Sequence, residues 1–258
     1  MRVLHMSGAG NDFAVLDARG MQICFETMAK ELCAKLGTDG FLAVDYSDIA
    51  DFKLHFYNPD GLRGEMCGNG ARCVCKFAYD NGIAGSSMTV ETDAGLVYGW
   101  RLAENRYRIR LNNPSVVDLL RLPDTAYIEL GNPGVPHSVT LFPSLDWADK
   151  DRLKPEFLNI RHNAVFPKGV NVNFYSLLTD SSVRILTYER GVEDFTLACG
   201  TGSAAVAVAL WQQGRLPRNH LTVENPGGTL EIIVEGQNGR IEALYLEGPS
   251  ETLKETEM

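Results

Sequence analysis

The chain has 258 residues, 45% hydrophobic and 22% charged, ordinary values for a soluble globular protein of one large domain or two modest ones. Its net charge of −9, from 24 basic and 33 acidic residues, argues against a basic nucleic-acid groove and carries no information about a substrate. No stretch approaches the roughly 18–20 apolar residues that span a bilayer, and Met1-Arg2-Val3-Leu4-His5 lacks a signal-peptide pattern. A cytoplasmic protein is expected, so Cys24, Cys33, Cys67, Cys73, Cys75 and Cys199 are expected to be reduced.

Along the chain, Phe13–Asp17 reads as a short strand. Gln22–Leu36 has helical spacing, with Phe25, Met28, Leu32 and Leu36 on one stripe and Cys24 and Cys33 as packing residues. Phe41–Val44 and Phe52–Tyr57 read as strands, and Asn58-Pro59-Asp60-Gly61 as a turn. Ala71–Asp80 is helical and stops at Asn81-Gly82. Strands follow at Met88–Thr92, Leu96–Trp100 and Arg106–Arg110, then an apparent linker at Asn112-Asn113-Pro114-Ser115. The second half repeats this style, with strands at Ala126–Leu130, Val139–Phe142, Asn171–Phe174 and Val183–Tyr188. Ser203–Trp211 is apolar on all sides and too short for a membrane, so it predicts a helix inside a core. Strands around Leu221–Val223 and Leu230–Val234 complete the half.

Two segments carry the chemistry. Met66-Cys67-Gly68-Asn69-Gly70-Ala71 and Ala198-Cys199-Gly200-Thr201-Gly202-Ser203 each read Cys-Gly-x-Gly-small and run into a helix. Unpaired N–H groups and the dipole at a helix mouth favour negative charge, which is expected to lower a thiol pKa toward neutrality. Two such thiols suit an acid and a base on opposite faces of one carbon, the chemistry of a cofactor-independent racemase or epimerase. Gly68 and Gly200 let backbone N–H groups approach a carboxylate, while Gly70 and Gly202 clear space at the helix start. A lone Cys-Gly-x-Gly is a weak signal, because a buried Cys is usually a small hydrophobe; the duplication strengthens it. Cys73 and Cys75 point about 200° apart on a helix and cannot readily grip one metal, and no Cys/His set has zinc spacing. Glu189-Arg190 precedes the second motif, where Glu189 suits an ammonium and the planar fork of Arg190 a carboxylate.

These residues resemble the diaminopimelate epimerase family nearly end to end. The shared segments are Gly8-Ala9-Gly10-Asn11-Asp12-Phe13, Tyr57-Asn58-Pro59-Asp60-Gly61, Glu65 to Cys73, Val170-Asn171-Val172-Asn173-Phe174, Tyr188-Glu189-Arg190-Gly191, Ala198 to Gly202 and Pro226-Gly227-Gly228. The resemblance implies an α+β fold of two pseudo-symmetric lobes, each a curled strand layer around a central helix. The first lobe would be 1–114, with a tail at 251–258 returning to it, and the second 115–250. It implies epimerisation of LL- and meso-2,6-diaminopimelate in lysine and peptidoglycan-precursor synthesis, with no cofactor, no metal, and a homodimer. Cys67 and Cys199 take the two-base positions. Gly68, Asn69, Gly200 and Thr201 take the carboxylate-binding helix mouths. Asn11, Asn58, Asn171, Glu189 and Arg190 match substrate-binding residues, and His137 and Glu189 are candidates for tuning the thiols.

The chain departs from the family pattern at Gly131-Asn132-Pro133-Gly134-Val135-Pro136-His137, where a Gly-Asn-Pro-His segment is usual. With His137 as the matching histidine, Val135 stands where the family has Asn; with Asn132 aligned, the histidine is displaced. Gly40 stands where some members carry a substrate-contacting Gln. The alternatives are a two-cysteine racemase of another amino acid, such as histidine or proline, and, from a different class, a thiol redox sensor or an amino-acid-binding module.

Overall fold

The computed structural model describes residues 1–64 and 67–257. Glu65 and Met66 of the first motif lie outside the described residues. The chain divides into two compact units, Met1–Arg110 with Glu247–Met258, and Leu111–Leu246.

In the first unit, β1 (Arg2–Gly8) pairs antiparallel with β2 (Asn11–Asp17), whose interior Phe13-Ala14-Val15-Leu16 is fully buried. Helix α1 (Phe25–Leu36) follows and places Ala29, Leu32 and Cys33 on the sheet at i, i+3, i+4 spacing. It closes on Gly37 at φ 69°, the left-handed cap that glycine adopts without strain. β3 (Gly40–Asp45) runs parallel to β2, and β4 (Phe52–Tyr57) pairs antiparallel with β3. Then comes α2 (Gly68–Asp80), buried from Asn69 through Ala78. β5 (Ser87–Thr92) is parallel to β4, and the hairpin strands β6 (Gly95–Ala103) and β7 (Arg106–Leu111) follow.

The second unit begins with β8 (Pro114–Leu122) and β9 (Thr125–Leu130), antiparallel to each other. β10 (Val135–Leu141) is antiparallel to β9. A 3₁₀ turn at Trp147–Asp149 leads into α3 (Lys150–Arg161), which buries Leu153 and Phe157 against an aromatic cluster with Phe174 and Phe195. β11 (Asn171–Thr179) is parallel to β10, and β12 (Ser182–Glu189) antiparallel to β11. The short β13 (Asp194–Thr196) folds back on β12. Helix α4 (Gly200–Gln212) is buried through Ser203–Leu210. β14 (His220–Asn225) runs parallel to β12 and β15 (Gly228–Gln237) antiparallel to β14. β16 (Arg240–Pro249) and β17 (Glu251–Glu257) end the chain, and β17 pairs with β1.

The units repeat one plan. β1-β2-β3-β4-β5-β6 pair antiparallel, parallel, antiparallel, parallel, antiparallel. β9-β10-β11-β12-β14-β15 pair in the same order. In each, a first helix links the second and third strands and a buried second helix links the fourth and fifth. The fold is α+β.

Several expectations need correction. Both buried helices start earlier than the apolar spacing predicts, because the Gly-rich motifs form their first turns. α1 starts later, at Phe25. Cys24 is exposed at its N-cap, where the thiol donates to Glu26 Oε2 at 3.1 Å, so it is not a packing residue. The apparent linker is not one: Pro114 is the first residue of β8, where a missing N–H is tolerated. A division at 114/115 would cut that strand. Strand β8 and helix α3 carry no clear signal in the sequence. β8 alternates poorly across two register shifts, and α3 is polar with Pro155 inside it.

Candidate active site

In the first unit Cys67 is the N-cap residue of α2, with extended φ/ψ of −107°/121° and its carbonyl accepting from Ala71 N–H. It is half-buried. Asn11, at the start of β2, donates from Nδ2 to Cys67 Sγ at 3.7 Å. Asn69 is buried, and its Oδ1 accepts from Arg72 Nη2 at 3.0 Å. Asn11, Gly68 and Asn69 thus gather at the mouth of α2. Asn58 follows β4 in the turn before the motif, and its backbone bonds stay within that turn: its N–H donates to Leu62 O and its carbonyl accepts from Gly61 N–H. Gly40 opens β3 beside Phe56 and Phe13.

In the second unit Cys199 is the N-cap residue of α4, 5% exposed. Its Sγ accepts from Gly202 N–H at 3.3 Å and lies 3.6 Å from Thr201 Oγ1. Its thiol also hydrogen-bonds Glu189, the last residue of β12. Burial and then the Glu189 carboxylate push the thiol well above its ordinary pKa, and the Thr201 and Gly202 donors only partly oppose this. The expected lowering at a helix mouth is therefore overturned at Cys199: desolvation and a like charge outweigh the N–H groups. Glu189 is held in turn by Thr196 Oγ1 at 2.8 Å.

Asn171 begins β11 and accepts on Oδ1 from Arg190 N–H at 2.8 Å. The Arg190 side chain donates from Nη1 to Lys168 O at 2.8 Å and is otherwise exposed. His137, on β10 directly opposite Asn171, is fully buried. Burial, reinforced by the Arg190 charge, pushes its imidazole down to about 3, so it is neutral. Its Nδ1 lies 3.2 Å from Asn173 Nδ2, and its buried Nε2 has no hydrogen-bond partner among the described residues.

Sequence reasoning missed Asn173 and Arg72. Asn173 is fully buried. Its Nδ2 also donates to Ser138 O at 2.8 Å, and its Oδ1 accepts from Thr187 Oγ1 at 3.0 Å. A Cβ on Gly202 would fall 2.2 Å from that Oδ1, so Asn173 fixes how close α4 comes to β11. The available signal was period two: Asn171 and Asn173 share one face of a strand. Arg72 is fully buried beneath the mouth of α2. Among the described residues no group of three or more His, Cys, Asp or Glu could hold a metal, and no helix is long and apolar enough to cross a membrane.

The chain matches the sequence model described as diaminopimelate epimerase over residues 3–114 and 130–253. A protein named diaminopimelate epimerase from Chlorobaculum tepidum is 35% identical, covering 95% of this chain and 96% of that protein. One of the same name from Flavobacterium psychrophilum is 33% identical, covering 99% of each. The chain belongs to the diaminopimelate epimerase family of isomerases. Among solved structures, a phenazine biosynthesis protein of the PhzF family from Bacillus anthracis superposes with a TM-score of 0.74 at 16% identity, covering 100% of this chain and 98% of that one. A probable proline racemase from Agrobacterium radiobacter K84 gives 0.70 at 15% identity, covering 100% and 92%. These two share the fold.

The segment that departs from the diaminopimelate epimerase pattern is a turn between β9 and β10. Asn132 is exposed in that turn, Val135 starts β10, and His137 lies two residues further, inside the sheet.

Proposed function

We propose that this chain interconverts LL- and meso-2,6-diaminopimelate by two-base proton transfer between Cys67 and Cys199. The observation that carries the reading is the near-full-length match to proteins named diaminopimelate epimerase. The repeated Cys N-cap, at equivalent places in two units of one plan, supports the chemistry.

One sulfur, as thiolate, takes the α-proton, so a C–H bond breaks and an S–H bond forms. The other, as thiol, delivers its proton to the opposite face and becomes the thiolate. The reverse reaction swaps the roles. Cys199 suits the thiol role because its proton is held against Glu189. When that proton leaves, the Gly202 N–H at 3.3 Å is in place to receive the negative charge. The first-turn N–H groups of α2 and α4 are the donors for the α-carboxylate. Arg190, anchored through Asn171 and Lys168, offers its remaining N–H groups to the distal carboxylate. Asn11 and Asn58 would complete the polar lining. The same reading includes independence from pyridoxal phosphate, a cytoplasmic homodimer, and a role in lysine and peptidoglycan-precursor synthesis.

The test is LL-diaminopimelate in D₂O with reductant and no added pyridoxal phosphate, followed by NMR and chiral chromatography. The meso isomer should appear with deuterium at one α-carbon. Cys67→Ala and Cys199→Ala should each lower inversion by ~10²–10⁴-fold. Exchange of another amino acid but not of diaminopimelate would move the chain to a sister racemase, and no exchange at all would end the two-base reading.

A further inference from the structure

Arg72 sits one turn into α2, and all of its side chain is buried. Nη1 donates to Gly68 O at 3.2 Å, Nη2 to Asn69 Oδ1 at 3.0 Å, and Nε to Pro249 O at 3.3 Å. All three acceptors are neutral. Two of them belong to the first two residues after Cys67, so the guanidinium ties the turn that Cys67 caps to the returning C-terminal segment. A guanidinium stays charged in proteins, and a buried charge is costly unless something nearby answers it.

Among the described residues, the ionisable groups that act on Arg72 are the thiols Cys73, Cys67 and Cys75. Cys73 and Cys75 are fully buried, and desolvation drives both up to about 12, so they stay protonated. Among the described residues, the half-buried thiol of Cys67 at the helix mouth is the group left. The other ionisable groups close by, among the described residues, are Asp12 on β2, which acts on Cys73, His5 on β1, 3.0 Å from the Asp12 carboxylate, and Asp39, whose carboxylate accepts from Asp12 N–H at 2.9 Å. Asn11, next to Asp12, adds an N–H to Cys67 Sγ. In the second unit the corresponding cysteine faces a carboxylate, Glu189, and the residue corresponding to Arg72 is Ala204.

We propose that Arg72 is a positioning residue for Cys67, its buried guanidinium fixing the first turn of α2 and supplying the charge that makes Cys67, rather than Cys199, the resting thiolate. The proposal deepens the two-base reading and rests on it. It assigns the direction of the first step: the free enzyme stands ready to take a proton at Cys67 and to give one at Cys199.

The test is site-resolved alkylation of the unliganded wild-type protein with iodoacetamide across pH, read by peptide mass spectrometry. Accessibility scales each rate, whereas the thiolate fraction sets the pH at which the rate reaches half its plateau. The half-plateau pH for Cys67 should lie below that for Cys199. In Arg72→Met the Cys67 profile should move to higher pH, and the rate at pH 7 should fall about tenfold for every pH unit that the half-plateau point moves, while the Cys199 profile stays put. Arg72→Lys should restore part of the Cys67 profile. In turnover, Arg72→Met should lower kcat more than it raises KM, and kcat should recover toward alkaline pH. A Cys199 half-plateau at or below that of Cys67 overturns the proposal, and this comparison needs no variant, so a misfolded Arg72→Met leaves it decisive. A soluble Arg72→Met with an unmoved Cys67 profile overturns it too. Failure of diaminopimelate turnover would strike the functional reading and leave the alkylation order measurable.

Discussion

His137 is an imidazole inside a sheet, with Asn173 on one ring nitrogen and no partner among the described residues on the other. Unfolded, it takes up a proton near 6.5; folded, it resists down to about 3. Between those values the unfolded chain binds more protons, so this group's contribution to stability is full above 6.5 and is lost as pH falls toward 3. By pH 4 the loss is ~3 kcal/mol. His137→Gln, which keeps a neutral hydrogen-bonding group, should therefore show a smaller fall in stability between pH 7 and pH 4, measured by urea unfolding. Equal falls in both proteins would mean the histidine is not held neutral. The site was only partly legible at this scale. Cys67 and Cys199 stand out in the sequence as candidates because their setting is local, a cysteine at the N-cap of its own Gly-rich helix start. Asn173 and Arg72 do not, because each also depends on partners remote in sequence: Ser138 and Thr187 for one, Pro249, beside the local Gly68 and Asn69, for the other.

The two Gly-rich helix starts look interchangeable as sequence but sit in unlike surroundings. At Gly202 a Cβ would meet Asn173 Oδ1 at 2.2 Å and Cys199 Sγ at 3.2 Å. At the equivalent Gly70 the nearest atom is Leu42 Cδ2 at 3.4 Å, an ordinary contact with a side chain that can turn. Gly202→Ala must push α4 off β11 or break the Asn173 network, costing ~1–3 kcal/mol and at least ~10-fold in kcat, since the displaced turn carries Cys199. Gly70→Ala should stay within ~1 kcal/mol of the parent. Thermal melts and steady-state kinetics of the pair decide it; equal damage would show that the glycines serve the ligand and not the packing. The elements that sequence reveals best are those with one unbroken hydrophobic pattern. β2, β3 and α4 were legible because they are buried and uniformly apolar. β8 was not, since its exposed Leu120 and its register shifts break the alternation.

For the molecule as a whole, the chain's final segment finishes the unit in which the chain began. Glu247 enters that unit as a nearly buried carboxylate held by Arg106 and Arg108. Burial works against its charge, yet the two guanidinium groups win and hold its pKa below the usual value. Pro249 then accepts from Arg72, Ser250 N–H donates to Asn105 O, and Ser250 Oγ lies 3.5 Å from Cys73 Sγ. β17 finally pairs along β1, from Ser7 opposite Glu251 to Arg2 opposite Glu257. Its side chains are mostly exposed, so the segment holds by backbone pairing and not by an apolar face. That is why sequence periodicity is silent about it. Deleting residues 250–258 removes this ladder, with each lost hydrogen bond contributing ~0.5–1.5 kcal/mol, and opens an edge of β1 to other chains. The truncated protein should melt lower, self-associate on size-exclusion chromatography, and lose activity through the loosened support beneath Arg72. Leu253→Ala removes a 51% exposed side chain from the same strand but leaves its backbone intact, and it should stay within ~0.5 kcal/mol. If the truncated protein melted like the parent while Leu253→Ala did not, the strand would be held by its side chains, and the account of a backbone-paired closure of the first unit would fail.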